Sequence, residues 1–225
     1  MDYLTFIIPS IGRNSLINTI NSLNNQTSNN WKAIIIFDGC KNNLDPSIFN
    51  NNISFYEINK TNCVINQASD VRNYALQFVN DDCNWIAFLD DDDTIHYDYV
   101  EYFFNQKNLF NFDIFIYRMI NKENKIFPSL QSKDLIPCDV GISFIVKKNI
   151  FNNIKFENSH SEDYDFLNKA KNYNYLILIS NNIKYFVKSD LNDFEDFQLN
   201  YGDKFKIFLN NINPYLYLYF FKLIE

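Results

Sequence analysis

Glycine is scarce in this chain, which has only four glycines among 225 residues: Gly12, Gly39, Gly141 and Gly202. The loops that cradle phosphates in dinucleotide-binding and P-loop proteins need glycines at short, fixed spacing. No two of the four lie close enough together to form such a loop. The sequence therefore excludes the commonest dinucleotide-binding and NTPase motifs.

Cysteine is equally rare. The four cysteines, Cys40, Cys63, Cys83 and Cys138, lie far apart and form no CxxC pair. Zinc sites and disulfide frameworks normally show cysteines at short, recurring spacing. Because that spacing is missing, the sequence favours a reducing compartment in which these side chains are ordinary small core residues.

Long basic and long apolar runs are also missing. No Lys/Arg run exceeds two residues and the net charge is −7, which offers no phosphate track to a nucleic acid. No apolar run approaches the roughly 18 residues that span a bilayer. Residues 1–9 lack the basic region and the cleavage site of a signal peptide. We therefore expect a cytoplasmic protein with no transmembrane segment and no nucleic-acid partner.

What the chain does have is an apolar content of 47%, ample for one core. Apolar runs alternate with helical patterns over residues 1–120, which predicts βαβ units and a mostly parallel, Rossmann-like α/β sheet with helices on both faces. After residue 120 the alternation loosens. The predicted strands are 3–8, 31–37, 53–58, 85–89, 113–119, 142–146, 175–179 and 183–187. The predicted helices are 16–23, 68–79, one that carries Val100 and Phe103, and 162–170.

Residues 191–225 are rich in aromatic side chains, with Tyr215 to Phe221 the densest part. We expect a helical C-terminal tail, broken at Pro214, that packs on the preceding domain. A peripheral membrane contact or a dimer contact is the alternative, because aromatic side chains favour interfaces.

The most informative stretch is the apolar run 85–89, which stops at four consecutive carboxylates, Asp90 to Asp93. Carboxylates this close repel one another by roughly 1 kcal/mol per pair even in a water-like dielectric. A bound cation or the hydrogen-bond donors of a ligand would stabilise the cluster. A solvated acidic turn after a strand is the alternative.

Two other predicted strands end at informative residues, because Pro9 follows the first strand and Asp38 follows the second. Ligands of open α/β sheets bind beyond the carboxyl ends of the strands. If the strands are parallel, Pro9, Asp38 and Asp90 lie along one edge. The sequence therefore predicts a binding site there, although a lone Asp after a strand is usually a turn residue.

With these motifs the chain resembles the family 2 glycosyltransferases, which have the GT-A fold. The shared motifs are a first strand ending in proline, FDG at 37–39, DVRNYAL at 70–76, WIAFLDDDDTIHYDYVE at 85–101 and SEDYDFL at 161–167. The resemblance implies a GT-A domain over residues 1–190. Its nucleotide-sugar half would be about 1–95 and its acceptor half about 96–190, with the tail 191–225 packed on it.

The resemblance implies that five residues bind the donor nucleotide. Pro9 and Asp38 would contact the base, Asp90 the ribose, and the pair Arg72 and Asn73 the nucleotide. Without the family pattern, Arg72 would equally suit an ordinary salt bridge on a helix surface.

The resemblance also implies a metal site and a catalytic base. Asp92, the last residue of a D-x-D motif, would hold Mn²⁺ or Mg²⁺ with Asp93 in support and Asp91 as a spacer. Such a metal neutralises the leaving diphosphate. Asp163, beside Glu162, would be the base that deprotonates the acceptor hydroxyl. Alternatively, the acidic residues from Glu162 onward only stabilise a helix start through its macrodipole.

The chain departs from the family near the end of the predicted domain. Many members have a histidine there, whereas residues 185–190, YFVKSD, have none. Water could complete the metal shell, Lys188 could contact phosphate, or the metal could be bound more weakly.

These features predict an inverting, metal-dependent glycosyltransferase that moves a sugar from a nucleotide-diphosphate sugar to a hydroxyl of a glycan or similar acceptor. We expect UDP as the nucleotide. One alternative is a non-catalytic nucleotide-sugar or glycan-binding module on the same fold. The other is a nucleotidyltransferase, but Gly12-Arg13 is too little of the Gly-rich, basic loop that such enzymes carry after the first strand.

Overall fold

A computed structural model describes residues 2–59, 67–132 and 134–188 of the chain, and the predicted C-terminal tail lies outside these residues. The described part contains nine strands and four α-helices. The strands are β1 (Leu4–Ser10), β2 (Trp31–Asp38), β3 (Ile53–Ile58), β4 (Trp85–Phe88), β5 (Thr94–Ile95), β6 (Ile114–Asn121), β7 (Ile126–Phe127), β8 (Phe144–Lys147) and β9 (Ile177–Val187). The helices are α1 (Leu16–Asn24), α2 (Gln67–Ala75), α3 (Tyr99–Leu109) and α4 (Glu162–Asn172).

All nine strands join one sheet in the order β3-β2-β1-β4-β8-β6-β9-β5, with β7 paired to β6. The strands β3, β2, β1 and β4 are parallel to one another, as the alternating pattern of residues 1–95 predicts. Strand β8 then runs antiparallel to both β4 and β6. The predicted α/β class is confirmed, and the sheet is mixed rather than mostly parallel where the sequence alternation loosens.

The strand predictions differ from the structure in three places. The strands β5 and β7 have two residues each, too few to give an apolar pattern. The two strands predicted at 175–179 and 183–187 form the single strand β9, whose polar middle residues coincide with a register irregularity opposite β6.

An aromatic cluster attaches α4 to the sheet. The ring of Phe156, in the segment before α4, packs on Phe166 of α4 at 4.7 Å and on Phe88 of β4 at 5.0 Å between centroids. These side chains are buried, as are the apolar residues of β1, β2 and β4. Burial of an aromatic side chain removes about 150–250 Å² from water. This packing therefore fixes the start of α4 relative to the end of β4.

Within the described residues, no helix combines the length and the apolar character needed to cross a membrane.

Candidate active site

The carboxyl ends of three adjacent parallel strands form the candidate site. The order β2-β1-β4 places Asp38, Pro9 and the acidic turn Asp90–Asp93 along one edge of the sheet. Pro9 lies one residue from the end of β1, in register with Ile36 of β2. The prediction that Pro9, Asp38 and Asp90 lie along one edge of the sheet is confirmed.

A cleft of about 1030 Å³ lies beyond the ends of β2 and β3, beside α2. Gly39, Glu57, Asp70 and Tyr74 are among its lining residues, and Gly39 directly follows Asp38. Asp38 itself is buried. The cleft lies where open α/β sheets bind ligands.

Asp91 connects two loops of the site. Its buried carboxylate accepts hydrogen bonds from the Ser10 hydroxyl at 2.7 Å, the Ile11 N–H at 3.1 Å and the Arg13 guanidinium at 2.6 Å. It thereby ties the loop after β1 to the turn after β4. Asp91 therefore has a structural contact beyond the spacer role that the resemblance implies, because its carboxylate points into the protein and accepts hydrogen bonds from this loop.

Asp93 is also buried and ties the acidic turn to the end of β9. Its carboxylate accepts the Lys188 N–H at 2.8 Å and the Tyr185 hydroxyl. The Tyr185 oxygen in turn accepts the N–H of Asp90 at 3.2 Å. Burial, followed by the charge of Asp90, raises the pKa of Asp93 well above its usual value.

Asp92, like Asp90, remains partly exposed. Its carboxylate lies 3.3 Å from the Arg13 guanidinium and 4.0 Å from the Lys188 ammonium. Burial raises the pKa of Asp92, and the charge of Arg13 opposes that rise. The structure therefore brings Lys188, which is 68% exposed, to the acidic turn.

These residues fit only a metal that takes most of its ligands from elsewhere. In the ranges that the structure describes, no three His, Cys, Asp or Glu side chains are grouped to hold a metal ion. Mg²⁺ and comparable hard ions are commonly held by one or two carboxylates together with substrate phosphates and water. The partly exposed carboxylates of Asp90 and Asp92 match that requirement.

Arg72 lies at the centre of a second cluster of charges. It is a salt-bridge partner, as the sequence-based alternative holds, but it is 2% exposed and so does not lie on the helix surface. Its guanidinium donates to Asp90 at 2.7 Å and to Glu162 at 3.2 Å, and it lies 3.8 Å from Asp163. One positive charge thus faces three carboxylates from two different parts of the chain.

Asp163 has the environment of a proton acceptor. The pKa of Asp163 is raised to about 7, chiefly by burial. The charges of Glu162 and Asp90 add to the rise, and the charge of Arg72 opposes it. Its Oδ1 is buried and accepts no hydrogen bond from the described residues. A general base works best when its pKa lies near the working pH.

Asn73 lies beside Arg72 but contacts the backbone. Its amide donates to the Phe156 carbonyl at 2.8 Å and accepts the Phe156 N–H at 3.1 Å. Both residues of the predicted nucleotide-contacting pair therefore face the segment that leads into α4.

Sequence reasoning missed the roles of Ser10, Arg13 and Tyr185. Tyr185 is buried in β9, but no sequence pattern identifies Asp93 as the partner of its hydroxyl. Arg13 lies in the loop after β1, and only the folded sheet brings it to Asp91.

Comparisons with known proteins agree with this geometry. The family model described as Glycosyl transferase family 2 matches residues 5–160. The crystal structure of S. aureus TarS 1-349 superposes with a TM-score of 0.64 at 18% identity, covering 82% of this chain and 60% of that one. Curated protein sequences give no match.

Two further TarS structures are similar to this chain. The complex with UDP has a TM-score of 0.63 at 16% identity and covers 86% of this chain and 62% of that one. The complex with UDP-GlcNAc has a TM-score of 0.61 at 16% identity and covers 82% of this chain and 58% of that one. This chain thus spans about 60% of the length of TarS 1-349.

The TarS structures support the fold, and the family match covers most of the described residues. The resemblance inferred from the sequence motifs is confirmed, and the predicted enzyme class, glycosyltransferase, is the class of that family. The chain belongs to glycosyl transferase family 2.

Proposed function

We propose that this chain transfers a sugar from a UDP-linked donor to a hydroxyl acceptor on a glycan or similar molecule, with inversion at the anomeric carbon. The observation that carries the proposal is Asp163, a carboxylate with 20% exposure, a buried Oδ1 and a pKa raised to about 7. Its contact with Arg72, which also pairs with Asp90, holds it beside the acidic turn. The match to the family model and the TarS complexes with UDP and UDP-GlcNAc support the choice of donor.

The donor is proposed to bind along the carboxyl edge of the sheet. Asp38 and Pro9 would contact the base, and Asp90 the ribose. The Lys188 ammonium, which is exposed beside Asp92, would contact the diphosphate.

Asp92, with Asp90, would hold Mn²⁺ or Mg²⁺. Such an ion, when bound, stabilises the negative charge that develops on a leaving diphosphate. Lys188 and Arg13 lie within 4.0 Å of Asp92 and provide positive charge at the same place.

Asp163 is proposed to act as the base. The acceptor oxygen attacks the anomeric carbon, and its proton passes to the Asp163 carboxylate. The bond between that carbon and the diphosphate oxygen breaks, and the electron pair leaves with the nucleotide. A single base and in-line attack give inversion of configuration.

A donor screen tests the proposal. Binding of UDP, GDP and dTDP, and slow hydrolysis of the corresponding sugars, would be measured with and without Mn²⁺. We expect UDP to bind more tightly with Mn²⁺ and UDP-sugars to be hydrolysed. Absence of nucleotide binding in the presence of metal would overturn the proposal, and binding without hydrolysis or transfer would indicate a non-catalytic module.

Asp92→Ala tests the metal site separately. The variant should lose the Mn²⁺-dependent part of UDP binding and keep the metal-independent part. Equal Mn²⁺ dependence in the variant and the unmodified chain would exclude Asp92 as the metal ligand.

A further inference from the structure

We propose that Arg72 and Asn73 are positioning residues that hold the base-bearing start of α4 against the acidic turn, and that this positioning, rather than donor binding, is their main contribution to the reaction. The proposal rests on the proposed function, in which Asp163 is the base. It departs from the role that the family resemblance implies for this pair.

Asn73 fixes the backbone that precedes α4. Both polar atoms of its side-chain amide form hydrogen bonds with the same residue, since Nδ2 donates to the Phe156 carbonyl and Oδ1 accepts the Phe156 N–H. The Phe156 ring packs on Phe166 of α4. Two hydrogen bonds from one side chain to one backbone residue hold that residue in place relative to α2.

Arg72 fixes the other side of the same segment. Its guanidinium lies over the Phe156 ring, 5.6 Å from the centroid, and reaches Glu162 at 3.2 Å. It also donates to Asp90 at 2.7 Å. An arginine that binds phosphate presents its N–H fork to the ligand. This fork instead joins the turn after β4 to the first residues of α4 and is excluded from solvent.

The charge of Arg72 also affects Asp163. The charged groups that face Asp163 are Arg72 from α2, Asp90 from the turn after β4, and Glu162 from α4 itself. The two carboxylates raise the pKa of Asp163, and Arg72 lowers it. Loss of the Arg72 charge would raise the pKa of Asp163 further, so that a smaller fraction of Asp163 could accept the proton of an acceptor hydroxyl.

The experiment compares Arg72→Met and Asn73→Ala with a matched control, Arg118→Met. Arg118 is equally buried, but its hydrogen bonds go to backbone carbonyls within residues 128–132. Hydrogen exchange of the amides of residues 156–166 reports positioning without any need for activity. Binding of UDP, and the dependence of kcat on pH, report the functional consequence.

We expect Arg72→Met and Asn73→Ala to speed exchange at residues 156–166 by about tenfold or more, whereas Arg118→Met does not. UDP should bind within about threefold of the unmodified chain, and kcat of Arg72→Met should fall roughly 100-fold. The acid limb of its kcat profile should move up by about one pH unit. Arg72→Lys, which keeps the charge, should restore the position of that limb.

Two results would overturn the proposal. One is unchanged exchange at residues 156–166 in both site variants. The other is a loss of UDP binding with kcat unchanged at saturating donor, which would identify donor ligands. If Arg72→Met does not fold, Asn73→Ala decides by the same measurements. If the unmodified chain binds no nucleotide, the proposed function fails, and hydrogen exchange still decides the positioning role.

Discussion

Two arginines of this protein are almost completely buried, and their surroundings differ. Arg72 and Arg118 are each 2% exposed. Arg72 is paired with carboxylates, among them Asp90 and Glu162. Arg118 donates to the backbone carbonyls of the loop after β7, which are those of Pro128, Ser129 and Ser132. One arginine compensates negative charge, and the other organises a loop.

The pKa values of the two guanidinium groups reflect these partners. Burial lowers the pKa of Arg118, and the charge of Asp139 opposes this only in part. Burial also lowers the pKa of Arg72, but the carboxylates around it outweigh that effect, so its pKa is raised. Carbonyl partners do not titrate, so the hydrogen bonds that Arg118 donates to the loop do not depend on the ionisation of their acceptors. The partners of Arg72 include a group that titrates near neutrality.

The carboxylates near the two arginines, Asp139 near Arg118 and Asp163 near Arg72, differ in their hydrogen bonding. Asp139 accepts the Ser129 N–H, at 3.1 and 3.0 Å to its two oxygens, and the Ser132 hydroxyl at 2.5 Å. Asp163 has a buried oxygen that accepts no hydrogen bond among the described residues. A saturated carboxylate supports structure, whereas a desolvated, unsaturated one near opposite charge is typical of catalytic sites.

The largest expected difference between the regions is in catalysis. Asp163→Asn keeps the size of the side chain and removes the oxygen that accepts a proton, so kcat should fall by roughly 10³. UDP binding should stay unchanged, as measured by titration beside initial rates of UDP-sugar hydrolysis or transfer.

Asp139→Asn is the control for that substitution, since it changes the same functional group in the other region. Its kcat should stay within about threefold of the unmodified chain. Retained turnover in Asp163→Asn would show that another residue is the base and that the contrast between the two carboxylates has no catalytic meaning.

The sequence predicts much of the fold, because apolar runs and helical periodicity mark elements that bury one continuous core. The strands β1 to β4 and their common carboxyl edge follow from this pattern. The antiparallel insertion of β8 does not, because the pairing direction of a short apolar run is decided by tertiary packing. The strands β5 and β7 are missed because two residues are too few to give an apolar pattern.

The site is predictable only as far as residue type and order allow. The acidic turn and the pair Glu162-Asp163 are visible as motifs. The direction of each carboxylate is not, because the turn after β4 points Asp91 and Asp93 inward and leaves Asp92 partly exposed. The burial of Arg72 is equally hidden, since its carboxylate partners lie 18 and 90 residues away in the chain.

The second prediction concerns stability. Asp163 has a pKa of about 7 in the folded protein, against about 3.9 for an unfolded Asp. Between these values the folded state binds more protons than the unfolded state, so this group lowers stability as the pH rises from about 4 to about 7. Asp163→Asn should therefore increase the free energy of unfolding at pH 8, by roughly 1–4 kcal/mol.

Urea unfolding at pH 8 and pH 5 measures this effect. The gain of Asp163→Asn should be smaller at pH 5, where the folded Asp163 already carries a proton. Asp139→Asn should show no gain at either pH, because it weakens a carboxylate that is fully hydrogen-bonded. A loss of stability for Asp163→Asn at pH 8 would mean that ionised Asp163 is well stabilised, contrary to a raised pKa.

The smallest expected effect comes from removing one serine hydroxyl in each region. Each region contains a serine whose hydroxyl donates to a carboxylate at 2.5 Å: Ser132 to Asp139, and Ser159 to Asp165 in the first turn of α4. Ser132→Ala and Ser159→Ala should each lower the free energy of unfolding by about 1 kcal/mol, the usual net value of one hydrogen bond. In contrast, only Ser159→Ala disturbs the helix start that carries Asp163, so it alone should lower kcat, by about threefold. An equal change of kcat in both variants would show that the loop at Arg118 and the cluster at Arg72 are coupled, and that the two arginines serve one site.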